Sequence, residues 1–176
     1  MSVPGLRLPK AVEADPRAAG LLELLAAHAR PLWSEAVFRV AWLTPGDEVK
    51  AALRSANQAG LVVRGLEAAE RRLAEEERGL ELAGREHERD IGVRISRLLV
   101  ITNDGAERFY RNVEGLLRRH APRLHAVRLE MDEHELGELL YGSDRVARLV
   151  LLEHKNAVAS FLLAVAQQLR TRETPG

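Results

Sequence analysis

The chain has 176 residues, which at roughly 150 residues per domain is one domain, or one domain with an appendage. It contains no cysteine, which excludes disulfides, thiolate metal sites and cysteine nucleophiles and makes the cytoplasm the expected compartment. Its 26 basic side chains are balanced by 26 acidic ones, so bulk positive charge gives no argument for nucleic-acid binding. No apolar run reaches the roughly 18 residues that a membrane helix needs, so we expect no membrane-spanning segment.

Residues 1–45 are predicted to form a helical N-terminal appendage. An Ala- and Leu-rich stretch over 18–30 spaces its apolar residues as one face of a helix does. We expect Pro31 to end that helix, because proline lacks an amide donor and its ring clashes with the preceding turn. The short apolar run at 36–43 fits either a strand or a helix.

Residues 47–92 are predicted to be mostly helical and rich in charge. A first helix over 47–58 ends at Gly60, the residue type that most often terminates helices. The β-branched run 61–64 indicates a short strand, and a longer helix begins near Leu66. Its last part is a polar stretch that either extends the helix or forms a surface loop.

The clearest pattern lies in residues 93–169, where apolar strand-like runs alternate with amphipathic helical ones. Strands are predicted at 95–101, 124–130 and 145–152, and helices at 105–120, 132–142 and 155–169. This alternation predicts an α/β fold over 46–170, a three-layer α-β-α sandwich with a mixed sheet of about four strands. Residues 171–176 are predicted to be a tail.

Three short patterns within this region have structural interpretations. Asp132 and Glu135 have the spacing of a capping box at the start of a helix. Asp104 follows a strand and precedes a helix, so we interpret it as a helix N-cap. Glu107 and Glu114 each stand four residues before an arginine, so the arginines of helix 105–120 are interpreted as a solvated, ion-paired face.

Residues that could carry catalysis form no recognisable set. The six histidines have no zinc-type spacing with one another or with a carboxylate pair. No nucleophile and base can be paired from the sequence, so we predict neither an enzyme nor a bound metal or cofactor. An enzyme would need a pocket with titratable groups, for which Asn103, Asp104 and Glu153 are the candidates.

The order of the predicted pieces over about 47–169 is itself informative. A helix ends in Ala59-Gly60, a short strand follows, and Gly65 opens the next helix. Further on, Thr102-Asn103-Asp104 ends a strand, and Glu135-Leu136-Gly137 lies in a helix that precedes an apolar strand. In this order and spacing the chain resembles the kink-turn RNA-binding family of ribosomal large-subunit proteins and their bacterial relatives.

The resemblance implies an RNA-contacting helix that opens at Gly65, where a glycine lets the backbone approach a phosphate and the helix N-terminus supplies donors. The family's helix opens Gly-x-Asn-Glu, and its Asn and Glu read the sheared G·A pairs of the kink-turn. Here the Asn-Glu signature is missing: the amide is absent, and the acid stands one position early, at Glu67. Arg71 takes the place of a lysine. The residues assigned to RNA are Arg64, Gly65, Glu67, Arg71, Arg72, His154 and Lys155.

Two functions are therefore open. The first is a non-catalytic RNA-binding module that acts on structured or ribosomal RNA, which predicts a connected positive patch built from the arginines with His154 and Lys155. The second is a protein-interaction or regulatory α/β subunit, a homodimer included, that has lost the RNA site. It is favoured by the acidic run 75–77 and by leucines at every seventh position (Leu66, Leu73 and Leu80), and it predicts an exposed apolar patch.

Overall fold

The computed structural model describes residues 6–82 and 94–173. In chain order the elements are α1 (Lys10–Glu13), a 3-10 turn (Pro16–Ala18), α2 (Leu21–Ala27), β1 (Ala29–Pro31), β2 (Arg39–Leu43), α3 (Asp47–Gln58), β3 (Val62–Arg64), α4 (Leu66–Leu82), β4 (Arg97–Ile101), α5 (Glu107–His120), β5 (Leu124–Leu129), α6 (Glu133–Tyr141), β6 (Leu149–Leu152) and α7 (Lys155–Glu173). In these two ranges no helix is long and apolar enough to cross a membrane.

The strands form one mixed sheet in the order β1-β2-β5-β4-β6-β3. Strands β2, β5 and β4 run parallel, and β1, β6 and β3 are antiparallel to their neighbours. The predicted α/β class and mixed sheet are confirmed. The sheet has six strands rather than about four, because the first 45 residues contain β1 and β2 as well as two helices.

The helix predicted over 18–30 is shorter in the structure, where it is α2. It ends at Ala27, not Arg30, and Pro31 lies in the edge strand β1. Proline is tolerated there because an edge strand has one side on which no amide donor is needed. The run 36–43, for which strand and helix were both open, forms β2, which is paired with β1 on one side and β5 on the other.

Helices cover both faces of the sheet, as the predicted three-layer sandwich requires. One core cluster joins the sheet to α1, α2, α3, α6 and α7, and the other joins it to α4 and α5. The central strand β4 contributes to both: Leu98 and Val100 pack on the first side, Leu99 and Ile101 on the second. All four side chains are fully buried, which explains the continuous apolar run in the sequence.

The capping box at α6 is confirmed. Asp132 accepts a hydrogen bond from the Glu135 amide at 2.8 Å, and the Glu135 carboxylate accepts one from the Asp132 amide at 3.2 Å. The N-cap interpretation of Asp104 is wrong, since α5 begins after Ala106. The Asp104 carboxylate instead accepts hydrogen bonds from the Thr102 hydroxyl at 2.7 Å and from the Glu133 amide at 3.2 Å. It therefore ties the end of β4 to the first turn of α6.

The other main differences at element ends concern β6, α7 and α4. Strand β6 begins at Leu149, so residues 142–148 form a loop, which we call the α6–β6 loop. Helix α7 runs to Glu173, so the predicted tail begins within a helix. Helix α4 continues to Leu82, and the rest of the polar stretch, 83–93, lies outside the described residues.

Candidate nucleic-acid interface

Gly65 forms the junction between β3 and α4. Its φ is +92°, and no atom lies within 4 Å of the position that a Cβ would occupy. Its amide donates to the Leu149 carbonyl at 2.9 Å, and its carbonyl accepts from the Ala69 amide at 3.0 Å. A positive φ lets the chain pass from the edge strand into the helix within one residue. The junction is therefore fixed on the sheet side and open on the solvent side.

Arg64 lies beside this junction and against the α6–β6 loop. Its guanidinium donates to the Val146 carbonyl and stacks on the Tyr141 ring, 4.8 Å from the ring centroid. Burial raises the pKa of the Tyr141 hydroxyl, and the positive charge of Arg64 opposes that rise. The arginine thus links the RNA-contacting helix expected at Gly65 to a loop that the sequence did not associate with it.

That loop carries two further arginines with different surroundings. Arg148 is neutralised, because its guanidinium lies 2.9 Å from the Glu133 carboxylate and 3.9 Å from Asp104. Arg145 is exposed, and within residues 6–82 and 94–173 its side chain makes no hydrogen bond or ion pair. Arg145 could therefore bind an anionic ligand without first breaking an ion pair.

The remaining predicted residues on α4 differ in whether their charges are already paired. Glu67 and Arg71 are exposed, and neither forms an ion pair with any residue that the structure describes. The Arg72 guanidinium lies 3.3 Å from the Glu153 carboxylate, so its charge is already partnered. Of the two arginines on this helix, Arg71 is the more available one.

His154 and Lys155 lie at the opposite end of β6 from Gly65. Strands β3 and β6 are antiparallel, so Gly65 meets Leu149 at the start of β6 while the Glu153 amide donates to Leu61 beyond its end. The four steps along the chain from Leu149 to Glu153 span about 13 Å at about 3.3 Å each. The predicted residues therefore form two groups at the two ends of β6, with α4 running between them.

At that second end, the His154 side chain is hydrogen-bonded to the neighbouring backbone. Its Nδ1 accepts a hydrogen bond from the Asn156 amide at 3.1 Å, in the first turn of α7. Lys155 is exposed. The residues named as candidates for an enzyme pocket are also separated. Asp104 contacts α6, whereas Glu153 contacts Arg72 on α4.

No family model and no curated protein sequence matches this chain.

Two sequence features belong to the framework and not to the interface. The paired arginine face of α5 is confirmed, with Arg111 lying 2.9 Å from Glu107 and Arg118 lying 3.6 Å from Glu114. Two of the three seventh-position leucines of α4 face the sheet: Leu73 is fully buried and Leu66 packs on the same core cluster. In the described ranges no group of three or more His, Asp or Glu side chains could hold a metal ion.

Sequence reasoning missed Tyr141 and Arg145. Both flank the Gly142-Ser143-Asp144 turn, in which Gly142 has φ +95° and Asp144 has φ +66°. The sequence Gly142-Ser143-Asp144 was recognisable as a turn. The contact of the following residues with Arg64 was not, because it depends on β6 lying between β3 and β4.

Proposed function

We propose that the protein is a non-catalytic RNA-binding module that acts on structured or ribosomal RNA in the cytoplasm. The observation that carries the proposal is the open junction at Gly65, which has a positive φ, opens a helix and lies next to Arg64, whose guanidinium contacts the loop that carries Arg145. Backbone amides at a helix N-terminus and guanidinium groups are the groups that bind phosphate oxygens.

The shape of this surface favours irregular RNA over a regular duplex. Proteins recognise RNA sequence mostly in loops, bulges and ends, where the bases are unstacked and the backbone is distorted. A glycine junction at a sheet edge can approach such a backbone closely. Arg145 belongs to the α6–β6 loop, which Arg64 contacts, and Arg71 belongs to α4, which begins directly after Gly65.

Because the net charge of the chain is zero, we expect the electrostatic contribution to RNA affinity to come from a few local arginines. If Arg64, Arg71 and Arg145 contact about three phosphates, the logarithm of the affinity should fall with the logarithm of salt concentration with a slope of about −2. The other function, a protein-interaction or regulatory subunit, draws less support from the leucine stripe, because Leu66 and Leu73 pack on the sheet. The large exposed apolar side chains, Val37, Leu82 and Val146, belong to three different segments of the described residues.

The test measures binding of a kink-turn RNA, a regular duplex of the same length and bulk cellular RNA at two salt concentrations. The key variant is Arg71→Glu/Arg145→Glu, because both side chains are exposed and its folding should be unaffected. The matched control is Arg54→Glu/Arg108→Glu, which makes the same charge change on α3 and α5. We expect the key variant to lose at least tenfold in affinity for the structured RNA and the control less than threefold. Absence of binding at low salt, or equal losses in the two variants, would reject the proposal.

A further inference from the structure

A second concave surface lies across the sheet from Gly65, where α5 packs over β2 and β5. It is an open groove of about 560 Å³, within the usual range for ligand sites. Its walls are the segment that follows β1 and the start of α5. Both tryptophans of the chain, Trp33 and Trp42, line it, together with Tyr110, Arg30, Arg128 and Glu107.

The floor of this groove is a stack of guanidinium and aromatic groups. Trp42 on β2 and Arg128 on β5 are register partners, and the guanidinium carbon of Arg128 lies 3.8 Å from the centroid of the Trp42 ring. The same guanidinium lies 5.5 Å from the Tyr110 ring, and that of Arg30 lies 5.3 Å from Trp42. A guanidinium that stacks on a ring keeps its in-plane N–H groups available for an anion.

Charge in the groove is left largely unneutralised. Arg30 is exposed and forms no ion pair within residues 6–82 and 94–173. Arg128 has only distant partners, since its Nε lies 3.8 Å from a Glu130 carboxylate oxygen and its guanidinium donates to the Asn103 carbonyl at 3.5 Å. Glu107 lines the groove but is paired with Arg111 at 2.9 Å. Two cations therefore face one aromatic surface without a close carboxylate.

Two donors in this stack are also unpaired. The Trp42 indole N–H and the Arg128 Nε–H are buried, and neither makes a hydrogen bond to any residue that the structure describes. Buried donors without an acceptor are uncommon and unfavourable in folded proteins. Trp42 and Arg128 therefore keep hydrogen-bonding capacity that the described residues do not meet.

The walls of the groove are held in place by buried hydrogen bonds. The Glu114 carboxylate accepts from the Phe38 amide at 3.0 Å and from the Trp33 indole at 3.4 Å, which fixes the segment after β1 against α5. The Tyr110 hydroxyl donates to the Thr102 carbonyl at 2.8 Å and accepts from the Gly105 amide at 3.0 Å. The aromatic groups are thus positioned before any ligand arrives.

We propose that this groove binds a nucleotide unit, with the base against the aromatic rings around Trp33 and Trp42 and the phosphate on Arg30 and Arg128. Aromatic rings and guanidinium planes are the surfaces on which unpaired bases stack. The unit is either a free mononucleotide or an unpaired nucleotide of an RNA strand, and the two share this chemistry.

The groove is separate from the interface proposed at Gly65, so it can be tested on its own. One row of paired residues crosses the sheet from Trp42 through Arg128 and Ile101 to Leu149, whose carbonyl binds the Gly65 amide. From β2 to β3 there are four strand spacings, or about 19 Å at about 4.8 Å each. A ligand of one nucleotide cannot reach both places.

The experiment uses intrinsic fluorescence, since the only two tryptophans both lie in the groove. The probes are adenosine monophosphate, uridine monophosphate, adenosine and a short single-stranded oligoadenylate, with correction for absorbance by the ligand. The key variant is Arg30→Gln, and the matched control is Arg39→Gln, an exposed arginine on the neighbouring strand that does not line the groove. Arg71→Glu/Arg145→Glu is included to separate this groove from the Gly65 surface.

We expect the monophosphates to quench tryptophan emission, and adenosine to bind at least tenfold more weakly. Arg30→Gln should weaken binding at least fivefold, Arg39→Gln less than twofold, and the double variant should leave quenching by the monophosphates unchanged. An oligoadenylate that binds at least tenfold more tightly than the monophosphate identifies an RNA strand as the source, and the reverse order identifies the free nucleotide. No quenching by any phosphate-bearing probe at millimolar concentration, or quenching that Arg30→Gln does not change, overturns the proposal.

Discussion

The carbonyl oxygen of Arg145 lies 2.1 Å from the position that a Cβ atom on Gly137 would occupy. The backbone of the α6–β6 loop therefore rests directly on α6, and only glycine fits at that contact. Through this contact Gly137 sets the position of Arg145 and of Val146, whose carbonyl accepts the Arg64 hydrogen bond. A helix glycine without a side chain thus fixes the loop backbone to which Arg145 belongs and to which the Arg64 guanidinium is bonded.

Gly137→Ala should lower the free energy of unfolding by about 2 kcal/mol or more, because the new methyl group meets backbone that cannot rotate away. Gly115→Ala on α5 is the control, since its nearest atom is the Arg119 guanidinium at 4.0 Å. Alanine should raise stability there by about 0.5–1 kcal/mol, because it loses less backbone entropy in a helix. Urea denaturation followed by circular dichroism measures both. Equal effects of the two substitutions would contradict the close contact.

Some elements of the fold could be predicted because their cause is local. Strand β4 is buried on both faces, so its apolar run is continuous and easily read. The α6 capping box is encoded within four residues. Strand β1 could not be predicted, because it has three residues, one of them Pro31, and exists only by pairing with β2. Strand β1 is stabilised by tertiary contacts, and the helical periodicity of the preceding residues made its start hard to recognise.

The candidate interface could be predicted only in part for the same reason. Gly65 was recognisable because a turn with positive φ requires a glycine. The position of His154 and Lys155 was not, because it depends on β6 running antiparallel to β3, which no local pattern encodes. Trp33 and Trp42 gave no signal as a pair, since the β1–β2 pairing brings them to one groove.

Glu114 joins α5 to the segment that follows β1, and its removal should be costly. Its side chain is nearly fully buried, and it is the acceptor for the Phe38 amide and the Trp33 indole. Glu114→Ala leaves these two donors unpaired, so we expect the free energy of unfolding to fall by about 2 kcal/mol. Tryptophan emission should shift to longer wavelength as Trp33 becomes exposed to water.

The control for Glu114 is Glu70→Ala. Glu70 forms an exposed pair with Arg119 at 3.4 Å, and exposed pairs contribute less than about 1 kcal/mol. Thermal and urea denaturation of both variants give the comparison. If Glu114→Ala were no more destabilising than Glu70→Ala, the carboxylate would not be holding this segment.

Glu76 bridges α4 to two other parts of the fold. Its carboxylate lies 3.0 Å from the Arg97 guanidinium on β4 and 2.5 Å from that of Arg123, just before β5. All three side chains are at least four-fifths buried, so the pairs are only weakly screened by salt. Glu76→Gln leaves two largely buried arginines without a counter-charge and should cost about 2 kcal/mol, allowing for partial exposure.

The matched control is Glu75→Gln, the same chemical change at an adjacent exposed residue that forms no ion pair in the described ranges. It should change the free energy of unfolding by less than about 0.5 kcal/mol. The difference between the two variants should persist at high salt. Disappearance of the difference at 1 M salt would mean that the Glu76 pairs behave as surface pairs.

His125 should make the protein less stable in mild acid. It lines a small cavity between α2 and the sheet, and burial lowers the pKa of its imidazole to about 4. An unfolded histidine has a pKa of about 6.5. As the pH falls from 6.5 to 4, the unfolded chain binds a proton that the folded protein excludes, so stability is lost over that window. The pKa of His120 is also lowered, chiefly by burial, and acts in the same direction.

The expected loss from His125 between pH 7 and pH 5 is at most about 2 kcal/mol, since each pH unit below 6.5 contributes up to about 1.4 kcal/mol. His125→Leu removes the imidazole and should flatten this part of the pH profile, and the comparison variant is His134→Leu, at an exposed position on α6. Because carboxylates titrate alike in both variants, the difference between their urea midpoints at pH 7, 6 and 5 isolates the buried ring. Parallel profiles for the two variants would show that His125 is free to take up a proton in the folded protein.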